Sequence, residues 1–123
     1  MNEDKIEELK QVNVDIIFFF LTIIASFISF YLIIEKKKSI FNENTITNDN
    51  ANKVYRFNRY FLFFIEFYFL ANSYYYYKKL ENQENVSPEE WKQAKLLFIA
   101  NIFAFISALL YLPLGNSNLI IEN

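Results

Sequence analysis

The sequence contains no cysteine and no histidine, and only one glycine and two prolines. Without cysteine there is no disulfide framework, and the residues point to neither an oxidising nor a reducing compartment. Without cysteine or histidine the chain has no thiolate or imidazole ligand for a metal ion. The net charge of −2 is too small to indicate nucleic acid or an acidic substrate as a partner. We therefore expect no cofactor, no metal site and no nucleic acid partner.

Catalytic patterns are missing as well. A single glycine excludes a glycine-rich phosphate loop, and the apolar segments hold no pair of acids. Activating a serine nucleophile needs an adjacent base that a third group orients. Ser26 with Glu66 is the combination most similar to such a pair, but the sequence offers no third group to orient Glu66. The sequence therefore predicts that the protein is not an enzyme and has no catalytic residues.

Three long apolar runs dominate the chain. They cover residues 16–34 (IIFFFLTIIASFISFYLII), 60–77 and 96–112. Crossing the hydrocarbon core of a bilayer, roughly 30 Å thick, takes about 17–25 apolar residues, and all three runs reach that length. A soluble helix of a small bundle would keep one polar face, but residues 16–34 point apolar side chains in every direction. A short chain cannot bury such a helix on all sides, so we expect the lipid bilayer to surround it.

The residues between the runs predict an all-α integral membrane protein: three transmembrane helices, the first of them long, in one antiparallel bundle and one membrane domain, 1–123. Asn2 is a suitable N-cap for the first helix, and Ser87 followed by Pro88 is a strong helix start. Between the first two runs lies an asparagine-rich stretch that favours a loop. The expected segments are a helix at 2–37 with a span at 14–34, a polar loop at 38–50, a helix at 51–79 with a span at 60–77, a helix at 88–112 with a span at 95–112, and a tail at 113–123.

The basic residues divide evenly between the two expected sides of the membrane, six on each. Because the first helix usually dominates topology, its flanks favour the first loop inside. We therefore expect a multi-pass protein of the cell membrane, with the N-terminus outside and the C-terminus inside.

Glu66 is the ionisable residue well inside a predicted span. Such groups usually face protein or water and often mark function. With antiparallel spans aligned at their centres, Ser26 and Ser107 lie nearly level with Glu66, and Asn72 lies level with Asn101. We expect these five residues to make intramembrane polar contacts. Glu66 is then a protonated structural acid, a proton or cation site in an oligomeric pore, or an acid that docks a partner.

Basic residues flank the first loop on both sides. They are either contacts to anionic lipid headgroups or simple determinants of topology. The candidates for headgroup contact are Lys36, Lys37, Lys38, Arg56 and Arg59.

The chain has, in order, a short acidic N-terminus, a span ending in Glu35-Lys-Lys-Lys, a polar loop, and Phe57-Asn58-Arg59 leading into a second and then a third span. This order resembles a known layout. It is that of small uncharacterised three-span membrane proteins of low-GC Gram-positive bacteria. The resemblance implies the fold and no particular activity. Three spans at this length are also similar to phage holins, which usually end in a charged tail, whereas residues 114–123 carry one acid and no base.

These observations lead to one expectation and one alternative. We expect an accessory or interaction subunit without catalytic activity, held together by intramembrane polar contacts, that self-associates or binds a membrane protein partner. The alternative is an oligomeric pore or holin-like protein that uses Glu66 as an ion or proton site.

Overall fold

The computed structural model describes residues 2–114 and 119–122, and within these residues the chain forms three α-helices and no strand. Helix α1 is Glu3–Ile40, α2 is Asn48–Glu81 and α3 is Pro88–Tyr111. The predicted all-α class is confirmed. Insertion into a membrane as a three-span bundle and a single membrane domain remain predictions.

Side chains at two helix starts act as the sequence predicts. The Oδ1 atom of Asn2 accepts a hydrogen bond from the backbone N of Lys5 at 2.9 Å. The hydroxyl oxygen of Ser87 accepts one from the backbone N of Glu90 at 3.1 Å, with Pro88 as the first helical residue. Each cap satisfies an N–H that has no partner within its own helix. Both predicted N-caps are confirmed.

The first loop is shorter than the sequence indicates. Helix α1 continues to Ile40, three residues past the expected end, and reaches about 57 Å in length. It stops before Asn42, whose φ of 57° is left-handed, a conformation that asparagine tolerates. Helix α2 begins at Asn48, three residues early, because the hydroxyl oxygen of Thr47 accepts a hydrogen bond from the backbone N of Asn50 at 3.2 Å.

The chain packs as two compact units, divided within α2 after Asn58. The first unit contains α1, the start of α2 and residues 119–122. Its helices run antiparallel, since Ala25 is near Asn58 and Leu32 packs against Ala51. The buried core of this unit consists of Leu32, Ala51, Leu119 and Ile120.

The second unit, described over residues 59–114, contains the rest of α2 and all of α3. Aromatic rings pair along its length: Phe63 lies 5.2 Å from Phe105 between ring centroids, and Tyr77 lies 5.4 Å from Trp91. Later residues of α2 thus meet earlier residues of α3, so these helices are also antiparallel. Ile65 is its largest side chain with less than 2% exposure.

Within the described residues, two helices, α1 and α3, are long and apolar enough to cross a membrane. Helix α2 falls short, since its run at residues 60–77 contains six tyrosines and Glu66. Most of the apolar surface of α1 and α3 is uncovered. Only 11% of the most apolar stretch of α1 is buried, and 6% of that of α3.

Candidate functional site

The end of α1, the first loop and the described tail form one hydrogen-bonded assembly in the first unit. We call it the polar cap. Its members are Glu35, Ser39, Thr45, Asn48 and residues 119–122. They adjoin the buried core formed by Leu32, Ala51, Leu119 and Ile120.

Glu35 anchors the first loop to α1. Its side chain is buried, with 1% of the residue exposed. The backbone N of Thr45 donates to Glu35 Oε2 at 2.8 Å, and the Thr45 hydroxyl donates to Oε1 at 2.7 Å. These bonds hold the pKa of Glu35 below its ordinary value of 4.5, with the hydroxyl bond as the largest cause, and the Nζ of Lys38 at 3.8 Å acts in the same direction. Glu35 therefore sits in this site as a carboxylate.

Ser39 and Asn48 bind the main chain of the tail. The backbone N of Ile121 donates to Ser39 Oγ at 3.0 Å, and the backbone N of Ile120 donates to Asn48 Oδ1 at 3.0 Å. The Ser39 hydroxyl itself donates to the carbonyl of Lys36 at 2.6 Å.

Glu122 completes the attachment of the tail. One of its carboxylate oxygens, Oε1, accepts a hydrogen bond from the backbone N of Asn48 at 2.6 Å. Because Asn48 is the first residue of α2, the carboxylate lies at a helix N-terminus, where negative charge is favourable.

A second polar contact joins α1 to α2 within the first unit. Asn58 is buried, with 4% exposed, and its Nδ2 donates to the carbonyl of Ala25 at 3.2 Å and to Ser29 Oγ at 2.9 Å. Ala25 is completely buried, so its small side chain permits the close approach. Among the described residues, the Asn58 Oδ1 atom is buried without a hydrogen-bond partner.

This contact gives α1 and the start of α2 a register that differs from an alignment of the spans at their centres. Aligning the runs at residues 16–34 and 60–77 by their centres would put a residue near 68 opposite Ala25. Asn58 lies there instead, ten residues or about 15 Å earlier along α2. Within the first unit, Asn58 and not a residue near 68 is therefore the residue of α2 opposite Ala25. The reason is that Asn58 bonds to α1 and that the loop and tail of the polar cap fix the helix ends.

The five predicted intramembrane residues differ in exposure. Ser26 and Ser107 are exposed, whereas Glu66, Asn72 and Asn101 are half-buried. The Ser26 hydroxyl donates within its own helix, to the carbonyl of Thr22 at 3.0 Å. The α2 side chain that bonds to α1 beside Ser26 is Asn58. The contacts of Ser26 and Ser107 with Glu66 remain predictions, and so does the contact of Asn72 with Asn101.

The five predicted headgroup contacts also separate by environment. Lys36, Lys37, Lys38 and Arg56 are exposed. Arg59 is half-buried, and its guanidinium carbon lies 4.5 Å from the centroid of the Tyr111 ring, a cation–π distance.

Tyr111 also lines an open groove of about 430 Å³ on α3 in the second unit. Most of the groove wall is apolar, and the ring of Tyr111, which lies beside Arg59, is part of it. The lining residues are Phe103, Ile106, Ser107, Leu110, Tyr111 and Leu114.

Sequence reasoning missed the roles of Glu35 and Asn58. The sequence indicates Glu35 only as part of the charged Glu35-Lys-Lys-Lys motif after the first span. The available signal was an acid at the end of an apolar helix, followed by a loop rich in hydroxyl and amide donors. For Asn58 the signal was an amide two residues before the second run, in a helix whose partner carries an alanine and a serine four residues apart.

These residues attach the first loop and the described tail to α1 and α2. In the described part of the chain, no cluster of three or more acidic side chains is placed to hold a metal ion. The carboxylates of Glu35 and Glu122 accept backbone and hydroxyl hydrogen bonds. Such an arrangement positions chain segments and holds the tail beside the first loop.

Comparison with known proteins yields no relative. No family model matches the chain, and no match is found among curated proteins or among solved structures. The resemblance in layout to three-span proteins of Gram-positive bacteria stays a prediction. Inference about function therefore depends on the geometry above.

Proposed function

We propose that the chain is a small multi-pass protein of the cell membrane that acts as an accessory or interaction subunit and has no catalytic activity. The observation that carries the proposal is the uncovered apolar surface of α1 and α3. Phe19, Phe27 and Ile33 on α1 are each more than 60% exposed, as are Phe103 and Leu110 on α3. Soluble monomers rarely expose contiguous apolar surface on this scale. Lipid, together with a protein partner, would cover it.

The polar cap supports a third crossing by α2. Its hydrogen bonds join Ile121 to Ser39 and Glu122 to Asn48, so the tail and the first loop lie on one side of any membrane. The chain leaves that side through α2 and returns through α3. Either both helices cross or neither does. Because α3 is long and apolar enough to cross, the attached tail favours a crossing by α2 despite its tyrosines.

Cysteine labelling tests this topology, since the natural chain has no cysteine. We expect Glu43→Cys and Ile121→Cys to react with a membrane-impermeant maleimide from the same side, the inside in the proposed orientation. Glu84→Cys, in the second connection, should react from the other side. All three positions are exposed, and the unsubstituted protein is the unlabelled control. Opposite sides for residues 43 and 121, or one side for all three, would contradict the topology.

Glu66 supports the interaction role. Its side chain is only half-buried by its own chain, within the apolar run of α2. An acid in a lipid environment is costly unless it faces protein or water. A donor group on a second chain would satisfy it, which suits a subunit. The alternative is an oligomeric pore or holin-like protein with Glu66 as its ion or proton site. The same half-buried carboxyl supports this alternative.

Affinity purification from the native membrane separates the two functions. We expect the protein to purify with a second membrane protein, and Glu66→Leu to weaken that complex about three- to thirtyfold, the range of one intramembrane hydrogen bond. Phe67→Leu, at an exposed neighbouring position, is the matched control and should leave the complex unchanged. A homo-oligomer whose ion flux disappears in Glu66→Gln would instead establish the pore.

A further inference from the structure

An open pocket of about 360 Å³ lies in the second unit, between the end of α2 and the start of α3. We call it the lysine pocket. Its lining combines two aromatic rings with two lysines; the residues are Tyr77, Pro88, Trp91, Lys92 and Lys95. The rings of Tyr77 and Trp91 meet edge to face, with centroids 5.4 Å apart and planes at 77°, and both residues are half-buried. The two rings form an aromatic wall that joins α2 to α3.

The lysine pocket presents positive charge. Its four residues from α3 share one face of the helix, because they stand at positions i, i+3, i+4 and i+7. Glu89 and Glu90 follow Pro88 by about 100° and 200° of rotation, and neither acid lines the pocket. Lys92 and Lys95 are exposed, and their side chains have no hydrogen bond or ion pair within the described residues. Two cations are therefore open to an anion.

Lysine can bind a phosphate here without a fixed geometry. Each ammonium group carries three donors on a flexible stem, so it binds phosphate as a point charge. Basic pockets between membrane helices bind anionic lipid headgroups. Tyrosine and tryptophan are also enriched at headgroup level, which agrees with the aromatic wall of this pocket.

The face of α3 that carries the lysines continues as apolar surface. Ile99, Phe103 and Ile106 follow Lys95 in steps of four, four and three residues, and they are 40%, 68% and 44% exposed. The helix rises about 16 Å from Lys95 to Ile106. This is close to the thickness of one lipid leaflet, half of the roughly 30 Å hydrocarbon core. A charged end followed by apolar surface of this length suits a phospholipid better than a free phosphate.

We propose that the lysine pocket binds one anionic phospholipid. The headgroup phosphate contacts Lys92 and Lys95. One acyl chain lies along Ile99, Phe103 and Ile106. The proposal rests on the proposed membrane insertion of α3, which puts the pocket at headgroup level on the side of the second connection.

Fluorescence quenching tests the site in the full chain, because its single tryptophan, Trp91, lines the pocket. The protein is placed in vesicles of phosphatidylcholine and phosphatidylglycerol, and one lipid or the other carries a nitroxide quencher near the headgroup end of an acyl chain. We expect labelled phosphatidylglycerol to quench Trp91 more strongly at the same mole fraction. Lys92→Gln and Lys95→Gln should each lower the relative association constant of phosphatidylglycerol about fivefold, the effect of one cation near a membrane surface.

Lys79→Gln is the matched control. Lys79 is exposed near the end of α2 and does not line the pocket, so its replacement removes the same charge without changing the site. This variant should keep the preference for phosphatidylglycerol. Equal quenching by both labelled lipids in the unsubstituted protein would overturn the proposal. An equal loss of preference in all three variants would also overturn it, because overall charge would then explain the attraction.

Glycerol phosphate, present on both sides of the vesicles, tests a free phosphate as the ligand. It carries the headgroup phosphate without acyl chains, so we expect the preference to remain in its presence. Loss of the preference would overturn the lipid site in favour of a soluble phosphate ligand.

Flotation of the same vesicles separates the two levels of inference. Protein that floats with lipid but shows no anionic preference overturns the lipid site alone. Protein that stays at the bottom of the gradient overturns the proposed membrane insertion, and the lipid site with it.

Discussion

Replacing Ala25 by leucine is expected to destabilise the contact between α1 and the start of α2 by about 1–3 kcal/mol, the usual cost of overpacking a close contact. Ala25 has no exposed surface, and its carbonyl lies 3.2 Å from Asn58 Nδ2. A leucine side chain has no room there without moving the helices apart, which would also break the bond from Asn58 to Ser29. The free energy of unfolding, from SDS titration in mixed micelles, measures the effect.

Ser26→Leu provides a matched control at the next residue. Ser26 is exposed and its hydroxyl bonds within α1, so the larger side chain should change the free energy of unfolding by less than about 0.5 kcal/mol. The reverse order, with Ser26→Leu the more harmful, would contradict the register described here. It would favour the alignment in which Ser26 faces Glu66.

Acidification is expected to release the first loop from α1 through Glu35. The folded state holds the pKa of this carboxyl below its ordinary value of 4.5, through the two bonds from Thr45. Its stabilising contribution is therefore complete above pH 4.5 and is lost as the pH falls through the lower pKa of the folded state. Hydrogen–deuterium exchange of the Thr45 amide, expressed as a protection factor to remove the intrinsic pH dependence, follows this release.

Glu35→Gln should reproduce part of the acid effect at neutral pH. Glutamine has one acceptor oxygen in place of two and no charge, so one of the two Thr45 donors loses its partner. We expect about tenfold lower protection of the Thr45 amide and no further loss from Glu35 on acidification. Glu43→Gln, an exposed acid in the same loop, should have neither effect. Full protection in Glu35→Gln at neutral pH would refute this role.

Parts of the candidate sites could be predicted from the sequence because they depend on residues that are close together in the chain. Asn2 and Ser87 cap helices through backbone groups three residues away, so the residue types alone indicate them. Arg59 was predicted as a headgroup contact from its place beside a span. The ring of Tyr111 beneath it, 52 residues later, required the packing of α3 against α2.

The bonds of Glu35 and Asn58 could not be predicted in the same way. Glu35 finds Thr45 only after the loop has turned back on α1, and Asn58 finds Ala25 only in one register of two antiparallel helices. Uniform apolar faces specify register weakly, since many offsets bury similar area. A polar side chain can select one offset, because elsewhere it would lack hydrogen-bond partners in an apolar environment.

The sequence by itself determined the helical class, the N-caps Asn2 and Ser87, and the apolar runs of the two helices that are long and apolar enough to cross a membrane, α1 and α3. These follow from hydrophobicity and local backbone chemistry, which act over a few residues. Only the tertiary structure decided that Asn58 lies opposite Ala25 and that Ile121 is bound by Ser39. Both contacts join residues more than thirty positions apart, and chain folding, not local preference, brings such residues together.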